Sequence, residues 1–359
     1  MKKILILSNH FITLYAFRKE LISTLISEGN EVYLSLPESV DNKYFEDLGC
    51  KIIKTKIDRR GMNPIKDLKL LSFYKTMIPA LAPDIVLSYT VKPNIYGAMA
   101  CAKKIPFIAN ITGIGTAMSN NGPLQKLLIS MYKFAFKNVR TVFFQNSANL
   151  ALFKRLGIVK DNAVLIPGSG VNLTQHCFEP YPVTDKTTFL FVGRLMKDKG
   201  IEELVKAATG VKSRNPNVEF IAIGFCEDED KAEFEKLNSY GAVKAIGHQQ
   251  DVHSFMKDAH AIVIPSYHEG MSNVALEGAA CGRPIIASRI PGCIETFDEG
   301  KSGIGFEPHD AASLESALER FLTLSYETRK EMGKCAHEKM VQQFDRQIVV
   351  NRYLSEINK

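Results

Sequence analysis

The sequence predicts an α/β protein made of two doubly wound, Rossmann-like domains. Three observations lead there. Short apolar, β-branched runs alternate with helix-length segments, the series starts afresh halfway along, and a chain of 359 residues is long enough for two cores. Continuous apolar strands separated by helices indicate parallel sheets covered on both faces.

Taken in order, the first half offers strands at 3–7, 31–36, 51–57, 84–89, 107–112, 141–145 and 163–167, with helices such as 14–27, 65–81 and 123–137 between them. The stretch 168–186 carries Gly168, Gly170, Pro180 and Pro182 with little periodicity, so it reads as the join. The second series places strands at 188–193, 219–224, 243–247, 261–265, 284–288 and 305–307, and the tail at 326–358 reads as helix. These patterns set the domains at 1–170 and 171–342. A C-terminal helix near 343–359 is expected to pack back on the first domain. Ligands of open α/β sheets bind beyond the carboxyl ends of the strands, so chemistry is expected in those loops and in the cleft between the domains.

Charge separates the halves. Residues 1–165 hold 23 Lys/Arg against 11 Asp/Glu, a net +12, whereas residues 166–359 hold 22 against 28, a net −6. The basic half suits an anionic membrane surface or a phosphorylated substrate; the alternative is a solvated surface with accidental bias. No nucleic-acid partner is expected. Seven cysteines without a CxxC pair argue against a disulfide framework or a zinc site and fit a reducing cytosol. The apolar start at 4–7 stops at Ser8-Asn9-His10, too short for a signal peptide, and no run approaches a membrane span.

Two loops carry the chemistry. Gly193-Arg194-Leu195-Met196-Lys197-Asp198-Lys199-Gly200 follows the strand at 188–192, and its guanidinium and ammonium can clamp a diphosphate. A basic turn at a helix start is the plainer explanation. Ser266-Tyr267-His268-Glu269-Gly270-Met271-Ser272-Asn273 follows the strand at 261–265 and opens a helix that contains Glu277. Gly270 permits close approach of backbone to a ligand, and the N–H groups of Met271, Ser272 and Asn273 are expected to point at an anion or a sugar hydroxyl. A carboxylate there suits vicinal hydroxyls, although Glu269 also complements a helix dipole.

In that order, Gly193-Arg194…Lys199-Gly200 and Glu269-x7-Glu277 resemble the retaining family-4 glycosyltransferases of the GT-B fold, two Rossmann-like domains facing across a cleft. Ile166-Pro167-Gly168-Ser169-Gly170, Ile264-Pro265-Ser266 and Gly282-Arg283-Pro284 extend the likeness along the chain. The resemblance implies that Arg194 and Lys199 hold the donor diphosphate. Glu269 then contacts the donor sugar with the 270–273 backbone, and Glu277 binds the ribose. Catalysis would rest on electrostatic stabilisation of the departing nucleotide and on proximity. Ser8-Asn9-His10, Arg59-Arg60-Gly61, Tyr89-Thr90-Val91-Lys92-Pro93-Asn94 and Asn110-Ile111-Thr112-Gly113-Ile114-Gly115-Thr116 are similar to a bacterial subgroup. That subgroup extends undecaprenyl-diphosphate-linked sugars from UDP-sugar donors in capsule, exopolysaccharide or glycan synthesis. The acceptor-side candidates are His10, Arg18, Lys92, Asn94, Thr112 and Gly113. The resemblance places the enzyme in the cytoplasm, at the inner face of the membrane. It departs where many members carry Gly-Gly after the first strand and this chain has Asn9-His10.

Other signals are set aside. Asp228-Glu229-Asp230 has the form of a metal-holding pair but is explained by a helix start, and no cofactor or metal is expected to be required. No HExxH, P-loop or GxGxxG is present. The lysine-studded apolar segment 124–137 fits either core packing or a membrane interface. A UDP-N-acetylhexosamine epimerase and a non-catalytic two-lobed sugar-binding protein remain as alternatives.

Overall fold

The computed structural model describes residues 1–38, 42–58, 63–101, 105–114, 122–226 and 241–359. The chain divides into one unit of Met1–Ser169 with Val349–Lys359 and a second of Gly170–Ile348. Arg59-Arg60-Gly61, Gly115-Thr116 and the acidic run 227–230 lie outside the described residues.

In the first unit β1 (Lys3–Leu7), β2 (Glu31–Pro37), β3 (Lys51–Thr55), β4 (Ile85–Tyr89), β5 (Phe107–Ile111), β6 (Thr141–Phe144) and β7 (Ala163–Leu165) form one parallel sheet in the order β3-β2-β1-β4-β5-β6-β7. Its helices among the described residues are α1 (Phe11–Ser27), α2 (Lys43–Asp47), α3 (Pro64–Leu81), α4 (Ala98–Cys101), α5 (Pro123–Ala135) and α6 (Ser147–Arg155). Alternate strand residues feed two cores. Leu5, Leu7, Val86 and Phe107 enter one, while Ile4, Ile6, Ile85 and Ile108 enter the other, as a sheet buried on both faces requires.

The second unit repeats the scheme. β8 (Thr187–Val192), β9 (Val218–Ile223), β10 (Lys244–Ala245), β11 (Ala261–Ile264), β12 (Ile285–Ser288) and β13 (Gly303–Phe306) lie in the parallel order β10-β9-β8-β11-β12-β13. Its helices among the described residues are α7 (Ile201–Arg214), α8 (His253–Asp258), α9 (Asn273–Ala280), α10 (Ala311–Thr323) and α11 (Tyr326–Lys339). The strand expected at 243–247 shrinks to two residues, and that at 305–307 moves to Gly303–Phe306.

The tail departs from the sequence expectation. It is not one helix: after α11 a π-helical turn at Met340–Phe344 and the extended ψ of Asp345 break it before α12 (Arg346–Ile357). The break lets Val171 donate to the Phe344 carbonyl at 2.8 Å and Arg346 to the Val171 carbonyl at 2.9 Å. Val349, Val350, Tyr353 and Ile357 of α12 then join the core that holds Ile166 in the first unit.

In each sheet the strand order reverses once, between β1 and β4 and between β8 and β11. Those two crevices, at the carboxyl ends of the strands, are where a doubly wound sheet receives ligands. Among the described residues, no helix is long and apolar enough to cross a membrane.

Candidate active site

The second unit's crevice is built from the loops after β8 and β11. A 3-10 turn at Lys197–Lys199 ends on Gly200, whose φ is 70°. A Cβ there would stand 2.0 Å from the Pro265 carbonyl oxygen, so only glycine lets this loop close on the end of β11. Tyr267 N–H donates to the Asp198 carbonyl at 3.0 Å and stitches the loops together. Tyr267 O–H bonds both carboxylate oxygens of Glu203, at 2.8 and 2.9 Å, which fixes the second loop to α7.

On this frame Lys199 Nζ lies 2.5 Å from Glu269 Oε1, and the Ser266 hydroxyl donates to the same oxygen at 2.8 Å. Both charged side chains are about one-fifth exposed, at 23% and 15%, so the pair is shielded yet reachable. Two residues placed 70 apart in the chain thus meet in the crevice. Arg194 is half-buried one residue beyond Gly193 at the end of β8, in the same loop as Lys199.

Behind Glu269 stands Gly292, which no sequence motif singles out. Its φ is 89°, and a Cβ there would come within 2.8 Å of the Glu269 carbonyl and 2.9 Å of that of Gly270. Its carbonyl accepts the Ser272 N–H at 2.8 Å. That bond corrects one expectation, because the Ser272 amide serves the Gly292 loop rather than a ligand. Ser272 instead caps α9, its hydroxyl accepting from Ala275 N–H at 3.4 Å. The Met271 side chain is buried, at 5% exposed. Asn273 opens α9, where a helix leaves its first amides without intrahelical partners. Its Oδ1 is buried with no hydrogen-bond partner among the described residues. One turn on, Glu277 is half-buried, and its burial pushes the carboxyl up to about 7 against a weaker opposing pull from Arg346.

In the first unit the acceptor-side candidates separate. His10 is half-buried as the residue before α1, and Thr112 and Gly113 are half-buried beyond β5. Lys92 pairs with Asp67 at 2.7 Å, and Asp67 also accepts the Tyr96 hydroxyl at 3.1 Å. Arg18 and Asn94 correct the expectation. Arg18 is 2% exposed, donates to the Phe17 carbonyl at 2.6 Å, and lies 5.0 and 5.5 Å from the rings of Tyr89 and Tyr353. Asn94, 1% exposed, accepts from Ser88 at 2.5 Å and donates to the Asn110 carbonyl at 2.8 Å. Both side chains are buried among neighbouring protein groups rather than open to a ligand.

At the crevice itself are Asn9, beyond β1, and Thr90, beyond β4. Leu7 pairs with Ser88 in the sheet, so these residues occupy matching positions two steps later. Asn9 Oδ1 and Thr90 Oγ1 are buried without hydrogen-bond partners among the described residues. Thr90 also holds a φ of 74°, which strains a β-branched residue. Both lie in segments that carried the resemblance, but composition and spacing do not reveal a positive φ.

Comparison with known proteins finds relatives for both halves of the chain. Residues 3–146 match the family described as glycosyl transferase 4-like, and residues 177–339 match glycosyl transferases group 1. The chain is 28% identical, over 97% of its length and 96% of the relative's, to the N,N'-diacetylbacillosaminyl-diphospho-undecaprenol alpha-1,3-N-acetylgalactosaminyltransferase of Campylobacter jejuni. It is 29% identical to the capsular polysaccharide biosynthesis glycosyltransferase CapM of Staphylococcus aureus, over 46% of this chain and 44% of that one. Among solved structures, sucrose-phosphate synthase of Thermosynechococcus elongatus superposes with a TM-score of 0.84 at 19% identity, covering 100% of this chain and 98% of that one. HepE of Anabaena, in complex with UDP and glucose, gives 0.80 at 17% identity and 99% coverage of both. These matches set aside the epimerase and the binding protein. The chain is a glycosyltransferase of the GT-B fold, with a glycosyl transferase 4-like domain followed by a group 1 domain.

Proposed function

We propose that the enzyme moves a hexose or N-acetylhexosamine from a UDP-sugar to an undecaprenyl-diphosphate-linked saccharide, with retention of anomeric configuration. The observation that carries the donor half is the Lys199–Glu269 pair, held with Ser266 at the switch point of the second sheet. Solved structures of the same fold contain UDP. In this reading Lys199 and Arg194 neutralise the donor diphosphate, and Lys199 loosens its hold on Glu269 as the donor arrives. Glu269 then faces the sugar, the α9 amides of Asn273 and Val274 meet its hydroxyls, and Glu277 receives the ribose. The reaction is driven by cations placed where charge grows on the departing UDP. No metal is assigned a role.

The acceptor half rests on the relative that matches over nearly the whole length and is named for a diphospho-undecaprenol substrate. Asn9 and Thr90, with His10, Thr112 and Gly113, are assigned to the acceptor glycan, and Lys92 to its diphosphate. A lipid-linked substrate calls for a membrane surface. The helices that start from the carboxyl edge of the first sheet expose Ile12, Ile65, Leu68, Leu124 and Leu127 in their first two turns. α5 also exposes Phe134, while Tyr132 and Ala135 on its other side are buried. Apolar side chains between Lys126, Lys133 and Lys137 suit the interface of an anionic bilayer. These features support peripheral attachment at the inner leaflet.

The test is turnover of UDP-sugars against lipid-linked saccharide, comparing the natural chain with Lys199→Ala and Glu269→Ala. Both variants should lose most transfer activity. Near-natural rates in both would refute the assignment.

A further inference from the structure

Away from the donor crevice, three segments of the second unit bring thiols, imidazoles and a carboxylate together: the entry stretch at 176–179, the start of α8, and the residue that ends α9. His176, His253 and Cys281 each offer one ligand atom, all within 4.8 Å of one another. Cys281 Sγ lies 3.2 Å from His253 Nδ1, and the opposite nitrogen, Nε2, lies 3.1 Å from Glu179 Oε1. His176 is 9% exposed and Cys281 fully buried.

We propose that His176, His253 and Cys281 bind a divalent zinc ion, with Glu179 orienting His253. Tetrahedral zinc with one thiolate and imidazole ligands sets donor-to-donor edges at about 3.5 Å, from bond lengths of about 2.3 Å to sulfur and 2.0 Å to nitrogen. The Cys281–His253 edge of 3.2 Å is already near that value. The other edges need contract by at most about 1.5 Å from the 4.8 Å bound to reach the tetrahedral spacing. Thiolate with two imidazoles is a donor set suited to zinc, and less to calcium or magnesium, which prefer oxygen. The Glu179–His253 contact has the form of a carboxylate holding the outer N–H of a ligating histidine, which leaves the other nitrogen's lone pair aimed inward.

The scaffold is fixed independently of any ion. Glu179 N–H donates to the Cys281 carbonyl at 3.3 Å, and Arg283 Nη2 bonds the carbonyls of Glu179 and Pro180, each at 2.8 Å. Binding converts the Cys281 thiol to a zinc-bound thiolate and releases its proton to solvent. The fourth position falls to water. The ion would clip the entry stretch to α8 and α9, giving the site a structural rather than a catalytic role. Spacing alone could not reveal it, because its ligands are scattered between residues 176 and 281.

The full chain, stripped with a chelator and titrated with zinc chloride, is expected to bind about one equivalent and to unfold at a higher temperature when loaded. Loading with cobalt should give a thiolate-to-metal absorption band that Cys281→Ser abolishes. Glu179→Gln should weaken zinc binding by about 10- to 100-fold. His176→Gln provides a second ligand variant should Cys281→Ser fail to fold. No zinc uptake and no thermal shift in the natural chain would mean a hydrogen-bonded cluster only, and would overturn the proposal. Equal zinc binding by Cys281→Ser or His176→Gln would place the metal elsewhere and overturn it as well.

Discussion

Replacing Lys199 by Met removes the ammonium but keeps most of the stem, and it tests the donor assignment on two scales. In the natural chain the ammonium sits 2.5 Å from Glu269, with 23% of the side chain exposed, so it is shielded enough for its charge to count. A hydrogen bond to a charged group contributes about 1.5–3 kcal/mol, so UDP affinity should fall about 10- to 150-fold. Transfer should fall further, because the contact strengthens as the diphosphate departs; losing one such donor costs about 10²–10³ in kcat. The same change leaves Glu269 with the Ser266 hydroxyl, an unfolding cost of about 1–3 kcal/mol for a half-buried carboxylate. For a domain of this size each kcal/mol lowers Tm by about 2–4 °C. Calorimetry with UDP, steady-state transfer and thermal unfolding read the three effects separately. A variant with lowered Tm but unchanged UDP affinity and kcat would refute the reasoning, since Lys199 would then be a structural cation only.

Further outcomes follow from the same geometry. Glu277 has its folded pKa raised to about 7 from an ordinary 4.5, so the folded state holds the extra proton between those values and stability falls as pH rises through that window. Glu277→Gln should therefore match the natural chain at pH 4 and exceed it at pH 8 by at most about 3 kcal/mol in denaturant melts, while its KM for donor rises; equal melts at both pH values would count against the burial argument. Thr90→Gly relieves a strained φ and should raise stability by up to about 1 kcal/mol while lowering kcat/KM for acceptor, and a stable variant with full activity would remove Thr90 from the site. Arg18→Met should destabilise by about 1–3 kcal/mol with acceptor KM nearly unchanged, whereas a KM effect without loss of stability would return Arg18 to the binding surface. The pair Leu127→Glu and Phe134→Glu should weaken co-sedimentation with anionic vesicles without altering the melt; undiminished binding would refute the α5 contact.

What the sequence shows and hides follows from the physics of each element. Strands such as β5 and β12 are buried from end to end, so their apolar runs announce parallel sheets. The Lys199–Glu269 meeting is legible because each residue lies just past a strand, and parallel strands deliver such loops to one edge. Arg18 misleads because charge normally signals solvent, while here two tyrosine rings enclose the guanidinium. Thr90 is hidden because its significance lies in a backbone angle that threonine rarely adopts. Gly292 becomes meaningful only once the chain folds it against Glu269. The tail reads as one helix because a π-helical turn preserves local helical composition, and only the pairing of Val171 with Phe344 and Arg346 exposes the break.

The central proposal is that the Lys199–Glu269 crevice binds the UDP-sugar whose sugar passes to a lipid-linked glycan. The most direct test incubates the enzyme with a panel of nucleotide sugars and an undecaprenyl-diphosphate-linked saccharide, and weighs the lipid product by mass spectrometry. The expected result is growth by one hexose or N-acetylhexosamine from a UDP donor, lost in Lys199→Met. A lipid product extended only from a non-UDP donor, or extended equally by the variant, would contradict it.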